Sequence, residues 1–341
     1  MKLNNGINLG GYLSQCNHET EHYEHFIGED DVKKIAEWGF DHIRIPIDYE
    51  VLEDEKGNKK KEGYGYVERL LEWCKQYNLG AVLDLHKAYG YDFNDAGNEK
   101  KNNLFSDDAL QERFIRLWMH IASAYGAYDN VAFELLNEVV ERENAAAWNL
   151  LIHKTVTAIR GVTAATPIIY GGIQWNSART LKFLDIPQDD NIIFTFHFYE
   201  PLLFTHQKAP WVENMDLEKD IFYPESMTYY QTQSEVLGYQ GEIVMNAKSK
   251  TMGKEFISEM VNDAVEAAKR AGVGLYCGEF GVIDRAPAED TVRWFTDVNQ
   301  VFKDNGIGGA IWNYKEKDFG LLSEHYDSIR DNIISSWTQR Q

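Results

Sequence analysis

One rhythm constrains what this chain can fold into more than any other feature: short apolar runs alternate with longer amphipathic runs along its whole length. The apolar runs are Ile7–Leu9, His42–Ile47, Gly80–His86, Val131–Glu138, Pro167–Gly171, Ile192–Tyr199, Gly274–Glu279 and Gly309–Trp312. Ala81-Val82-Leu83 is apolar on both faces, as a strand of a buried parallel sheet must be. The amphipathic runs predict helices over Glu29–Trp38, Tyr64–Tyr77, Asp107–Tyr125, Asn144–Arg160, Ala178–Leu184, Lys254–Ala271, Pro287–Asn305 and Ser328–Gln339. Asp107 can cap the run from Leu110 to Ala122, and glycine follows Trp38, Ala271 and Asn305, where a helix should stop. Eight strands alternating with eight helices predict an α/β fold, a closed (β/α)8 or TIM barrel, in which the first strand is short and the fifth helix weak.

The chain has 341 residues, a normal length for one such barrel with a loop insertion. A single domain over 1–341 is therefore expected. Residues 200–253 break the rhythm with aromatic and polar stretches, PLLFTHQKAPW and FYPESMTYYQTQ, and are too long for a simple connection. They read as a subdomain inserted after strand six, on the side where barrels of this kind carry their sites.

In a parallel barrel the site lies at the C-terminal ends of the strands. Polar groups there are the informative exceptions to burial. Arg44 lies near the end of strand two, His86 ends strand three and Asn137-Glu138 ends strand four. His197 and Tyr199 end strand six, Glu279 strand seven and Trp312 strand eight. Residues two apart on a strand share a face, so Cys277 is expected to point into the barrel below Glu279. By the same rule Glu134 shares a face with Glu138. Buried there, it needs a partner, for which Arg44 or His42 are candidates.

Two carboxylates from different strand ends can flank one scissile bond. Glycoside hydrolysis needs one protonated carboxyl for the leaving oxygen and one ionised carboxylate to attack carbon or activate water. Their surroundings must push the two pKa values apart. Arg44 can keep Glu279 ionised and Tyr199 can donate to it. Asn137 can bond a sugar hydroxyl, His197 can orient Glu138, and Trp312 offers a flat apolar face to a ring.

The stretches FELLNEV, FHFY, YCGEFGV and AIWNYK, with HIRIPI and LDLHKAYG upstream, resemble glycoside hydrolase family five. The likeness runs from GINLGGYLS to AIWNYK. YEHFI, NLGAVLDLH and FTHQKAPW are similar to the compact bacterial endoglucanase C type within that family. The resemblance implies a retaining endo-β-glucanase acting on β-1,4 or mixed-linkage glucans, with Glu138 as acid/base and Glu279 as nucleophile. It implies that Arg44, His86, Asn137, His197, Tyr199 and Trp312 complete the reacting-sugar subsite, that the insertion overhangs the cleft, and that no metal or organic cofactor takes part. Two positions depart from the pattern. Lys87 stands where many relatives carry a second histidine, and Tyr12 where many carry tryptophan. Both are expected beside the cleft, where they would alter substrate preference rather than chemistry.

Other readings are weighed against this one. Another β-glycan (mannan, xyloglucan, 1,3-glucan) or exo-acting glucosidase action is the rival among enzymes, and a non-catalytic carbohydrate-binding barrel the rival outside them. Lys+Arg number 34 against 54 Asp+Glu, a net charge of −20, which repels nucleic acid and anionic membranes and leaves a neutral oligo- or polysaccharide indifferent. A monomer is expected. No signal-like apolar run follows Lys2, so the chain as given is expected in the cytoplasm, unless a leader has been trimmed. Cys16, Cys74 and Cys277 show no metal or disulfide spacing. His18, His22 and His25 could suggest a metal site, but NHETEHYEHF reads better as a solvated loop, with a sugar contact by one histidine as the middle case. His206 and Trp211 of the insertion are expected to line the cleft, and Phe204 either to join them or to pack the insertion's own core. The helical tryptophans, Trp38, Trp73, Trp118, Trp148, Trp294 and Trp337, are expected between helices and barrel.

Overall fold

The structure, a computed structural model, describes residues 1–98 and 100–339, so the last two residues of the expected span lie outside the described residues. Eight parallel strands close into a barrel in sequence order: β1 Asn5–Asn8, β2 His42–Asp48, β3 Gly80–Lys87, β4 Val131–Glu134, β5 Ile168–Gly171, β6 Ile192–Phe198, β7 Gly274–Phe280 and β8 Gly308–Ile311. Helices over Glu29–Glu37, Lys61–Gln76, Asp108–Tyr125, Ala145–Arg160, Lys254–Ala271, Ala288–Asp304 and Arg330–Thr338 alternate with them. The weak fifth run is a 3-10 helix, Ala178–Phe183. The Asp107 carboxylate accepts from the N–H groups of Ala109 and Leu110 at 2.8 and 3.2 Å, capping its helix as its side chain predicts. Gly272, at φ 71°, closes helix Lys254–Ala271 in the left-handed conformation that glycine adopts most cheaply. Among the described residues, no helix is long and apolar enough to cross a membrane.

Two apolar layers hold the fold. The outer one, between strands and helices, contains Ile43, Ile45, Phe133, Phe194, Phe196 and Phe280 together with the buried indoles of Trp118, Trp148, Trp294 and Trp337. Burying side chains of this size stabilises by about 1.5–3 kcal/mol each. Three of these indoles also hold the backbone at or just beyond strand ends. Trp118 donates to the Leu135 carbonyl at 3.0 Å, Trp148 to that of Gly171 at 2.9 Å, and Trp294 to that of Glu200 at 2.9 Å. The inner layer is a small plug of Val82, Ala132, Ile169, Tyr276 and Ala310. At the N-terminal end His42 bonds the Tyr276 hydroxyl at 2.8 Å, and a Cβ on Gly6 would sit 2.1 Å from the His42 ring, so only glycine fits there. Toward the C-terminal end the interior turns charged, with Arg44, Asp84 and Glu134 all buried.

Two strand readings are corrected. The regular ladder of β4 stops at Glu134, four residues short of Glu138. The segment beyond keeps bonds to both neighbours, from Leu135 N–H to Ile169 at 2.9 Å and from Asn137 N–H to Leu85 at 3.1 Å, but its alternation is lost. Cys277 does not point into the barrel. It belongs to the outer layer, while Tyr276 faces inward. The register slips between Cys277 and Phe280, so Gly278 is passed over and Glu279 pairs with His197. A bulge of this kind re-aims the side chain after it. Cys16, Cys74 and Cys277 are all thiols.

Residues 200–253 fold into short helices over Leu202–Thr205, Met227–Ser234, Glu235–Gly241 and Glu242–Met245. Phe204, Tyr223 and Tyr230 are buried among them, and the Phe204 and Tyr223 rings lie 5.3 Å apart. Phe204 thus packs within the insertion and does not reach the cleft.

Candidate active site

Arg44 gathers the site. It is fully buried, and its guanidinium is satisfied on every edge. Nε and Nη2 grip Glu134 at 2.7 and 2.9 Å, so that of the two candidate partners for Glu134 it is Arg44, not His42, that meets it. Nη1 donates to Asn8 Oδ1 at 3.0 Å and to Glu279 Oε1 at 2.8 Å. Nη2 also reaches Asn137 Oδ1 at 2.8 Å and Asp84 Oδ2 at 3.0 Å. Three carboxylates thus share one fixed charge, and burial pushes Asp84 up to about 7, against the pull of Arg44. Arg44 has no surface of its own on the cleft. It acts there through Glu279 and Asn137.

The second oxygen of Glu279 accepts from the Tyr199 hydroxyl at 3.0 Å. With Arg44 on the other oxygen, each oxygen of Glu279 accepts from a fixed donor. Glu138 has different surroundings. Burial pushes its carboxyl up to about 7, although the nearby positive charges of His86 and Arg44 act to lower it. Its Oε1 lies 2.7 Å from His197 Nδ1. Burial lowers His197 to about 4, so that imidazole is neutral around pH 7. One oxygen of Glu138, one of Glu279 and one His197 nitrogen all lie within 4.8 Å of one another.

A cleft of about 620 Å³ opens over this pair, lined by Glu138, His197, Tyr199, Glu279 and Trp312 among others. His86 stands behind Trp312, its ring parallel to the indole at 6.0 Å between centroids, with Nδ1 2.6 Å from Asp84 and Nε2 3.1 Å from Gln15. Asn137, with its oxygen committed to Arg44, has its amide nitrogen left to donate. His206 and Trp211 both line the cleft from the insertion. The His206 ring packs edge-on against Tyr199 at 4.9 Å, and Trp211 is 53% exposed, free to meet a ligand.

Tyr12 is not beside the cleft: it is fully buried, with its hydroxyl donating to the Tyr23 carbonyl at 3.1 Å. Lys87 pairs with Asp92 at 2.8 Å and does not line the cleft either. Among the groups lining it that the strand ends did not reveal are Gln15, Trp175 with Arg179, and Glu200. GIQWNSAR follows strand five, so an aromatic at a strand's C-terminal end was the available signal for Trp175. Its exposure depends on Gln174, Trp175 and Asn176 all being left-handed, at φ 55°, 55° and 53°, which pattern reasoning does not anticipate. Buried Asn176 pins that run, accepting from Gly172 N–H at 3.0 Å while its carbonyl accepts from His197 N–H at 2.8 Å.

Among the described residues, two groups of side chains could hold a metal ion. One is Glu138, His197 and Glu279, where the Arg44 guanidinium already occupies an oxygen of Glu279 and would repel a cation. The other is His18, Asp48 and Glu50. There the hydrogen bond to Asp48 is the main cause that raises His18 to about 10, and an imidazolium has no lone pair to offer. Asp48 also accepts from Ser14 Oγ at 2.7 Å and Gln15 N–H at 2.9 Å. His22 bonds the Gly11 carbonyl and His25 that of Glu21, both at 2.8 Å, so the three histidines do not converge.

Residues 5–318 match the family model of cellulase, glycosyl hydrolase family 5. The chain is 39% identical over 343 residues to endoglucanase C of Acetivibrio thermocellus, covering 98% of each protein. It is 38% identical over 303 residues to cellodextrinase A of Ruminococcus flavefaciens, covering 89% of this chain and 82% of that one. Among solved structures, a hyperthermophilic endo-β-1,4-glucanase in complex with substrate matches with a TM-score of 0.79 at 23% identity, over 99% of this chain and 97% of the other.

Proposed function

The chain belongs to the cellulase family, glycosyl hydrolase family 5, and from that premise we propose that it cleaves β-glucans internally by double displacement, with Glu279 as nucleophile and Glu138 as acid/base. The observation that carries this reading is the different bonding of two neighbouring carboxyls. Glu279 is held by Arg44 and Tyr199, while burial keeps the proton on Glu138 up to about pH 7.

The glucan lies with its reacting ring on Trp312. Glu138 gives its proton to the glycosidic oxygen as the bond to the anomeric carbon breaks. Glu279 attacks that carbon and forms a glycosyl ester. Glu138, now ionised, takes a proton from water, which attacks the same carbon and releases Glu279. Oxygens of the pair within 4.8 Å of each other fit the carboxyl separation of about 5–5.5 Å that a covalent intermediate requires. Inverting enzymes hold theirs about 6.5–9.5 Å apart to admit a water. The Asn137 amide donates to the ring's 2-hydroxyl. Arg44 positions Glu279 and Asn137 and does not touch sugar, and His86 braces the indole. His206 and Trp211 bind rings further along, where residues 200–253 roof the cleft. The 1–341 chain works as one catalytic unit, without a metal or organic cofactor.

Proton NMR of cellopentaose hydrolysis tests the reading. It predicts β-configured product first, with shorter oligosaccharides released from inside the chain. An initial α-anomer contradicts double displacement, and glucose as the sole early product contradicts internal cleavage. A preference for short cellodextrins over polymer is the second reading, favoured by the 38% identity to a cellodextrinase. Comparing cellopentaose with barley glucan in the same assay separates the two.

A further inference from the structure

His197 Nε2 and Thr195 Oγ1 are both buried, and neither bonds any atom of the described residues. The two side chains lie two apart on β6, so they share a face. Opposite them β7 slips at Gly278, and a Cβ there would lie 3.0 Å from Nε2 and 3.1 Å from Oγ1. Two polar atoms thus border one small gap, kept open because the bulge residue is glycine. Asn176 adds a third. Its oxygen accepts from Gly172 N–H at 3.0 Å, which leaves Nδ2, a pure donor, buried without a partner among the described residues. That amide packs on Gly171, where a Cβ would lie 2.6 Å from Nδ2, and Gly171 pairs with Thr195.

Burial lowers His197 to about 4, so at pH 7 only one of its nitrogens carries a proton. Nδ1 faces two carboxyl oxygens, Glu138 Oε1 at 2.7 Å and Glu279 Oε2 at 3.6 Å. A proton on Nδ1 is donated to Glu138 Oε1, which confines the acid's own proton to Oε2. A proton on Nε2 leaves Nδ1 bare. Glu138 then donates to it from Oε1, and the acid's proton is turned away from the substrate. We propose that Thr195 is a positioning residue that selects the first arrangement: the Asn176 amide donates to its hydroxyl, and that hydroxyl donates through one buried water in the Gly278 gap to His197 Nε2. Waters that bridge buried polar groups are an ordinary part of protein interiors. The inference rests on the double-displacement reading given above and adds to it the group that decides which oxygen holds the acid's proton.

Spectroscopy and kinetics test it separately. Long-range 15N NMR of histidine-labelled wild-type protein, with His197 assigned by its loss in His197→Asn, should show Nδ1 protonated and Nε2 bare. Thr195→Val keeps the side chain's shape and removes the hydroxyl. 2,4-Dinitrophenyl β-cellobioside has a leaving group that needs no acid, whereas cellotetraose needs the Glu138 proton. Thr195→Val should lower the ratio of kcat/KM for cellotetraose to that for the aryl cellobioside by about tenfold, the worth of one hydrogen bond, and Thr195→Ser should restore it. A protonated Nε2 in the wild type overturns the proposal even if Thr195→Val does not fold. An unchanged ratio in folded Thr195→Val overturns it too, and so does an equal loss on both substrates, which would leave Thr195 a packing role. Wild-type protein inert on both substrates contradicts the glucanase reading beneath it.

Discussion

Arg44 and Glu138 show how single side chains set the chemistry. Arg44 is charged whatever the pH, and its bonds to Glu134, Asp84 and Glu279 leave it no freedom to move. Glu138 has no such cation bonded to it, and burial raises it to about 7. A general acid must carry its proton before the bond breaks. Activity is thus present below the raised pKa and lost as pH climbs through it. We expect kcat/KM on cellotetraose to fall along an alkaline limb with a midpoint near 7, and Glu138→Gln to remove that limb along with most of the activity on unactivated substrates. An alkaline limb centred near the ordinary glutamate value would contradict the assignment. Much at this scale was legible: a buried Glu134 demanded a partner, and of the two candidates, Arg44 and His42, Arg44 is the one that meets it. Tyr12 was not, because a residue beside a motif can turn either way, and this one turned into the core. Lys87 likewise spends its charge on Asp92.

At the scale of elements, the strand and helix pattern was legible because burial on both faces and helical periodicity leave clear marks. The run at Ala178–Phe183 was the weakest in the sequence and forms a 3-10 helix where an α-helix was expected. Irregularities at strand ends left no mark. The ladder of β4 stops at Glu134, and β7 slips at Gly278, so alternation placed Cys277 on the wrong face. That slip aims Glu279 at Arg44. It also brings Gly278 against β6, where an added Cβ would lie 3.0 Å from His197 Nε2 and 3.1 Å from Thr195 Oγ1. Gly278→Ala should therefore push the His197 ring off Glu138 by a few tenths of an ångström. The expected cost is about tenfold in kcat, below the hundredfold of a 1 Å misplacement, with thermal stability little changed. Wild-type kcat in a folded Gly278→Ala protein would show that the bulge aims nothing that matters. The indoles of Trp118, Trp148 and Trp294 carry the same lesson. Sequence periodicity explains their burial, but their bonds to Leu135, Gly171 and Glu200 carbonyls appear only once helix and strand are placed together.

Across the whole molecule, the barrel brings to one mouth residues that are scattered from Gln15 to Phe319 in sequence. The net charge of −20 contributes little to binding a neutral glucan and favours no polyanion. What the molecule supplies is a rim built at the strand ends, a charged interior beneath it and an insertion that adds His206 and Trp211 to the cleft lining. The part of the rim formed by Glu138, His197, Tyr199, Glu279 and Trp312 was foreseeable from the strand ends. The wall carrying Trp175, Arg179 and Glu200 was not, since a loop's left-handed path is set by packing around Asn176 rather than by pattern. The central claim is that Glu279 forms the bond to sugar and Glu138 moves the proton. Azide rescue of Glu279→Ala on 2,4-dinitrophenyl β-cellobioside tests it most directly. Azide can enter the space left by the carboxylate and attack the anomeric carbon from the nucleophile's side. Double displacement through Glu279 predicts a variant without measurable turnover, restored by azide, with α-cellobiosyl azide as product. A variant with full activity in the absence of azide, or rescue that yields the β-azide, would contradict it.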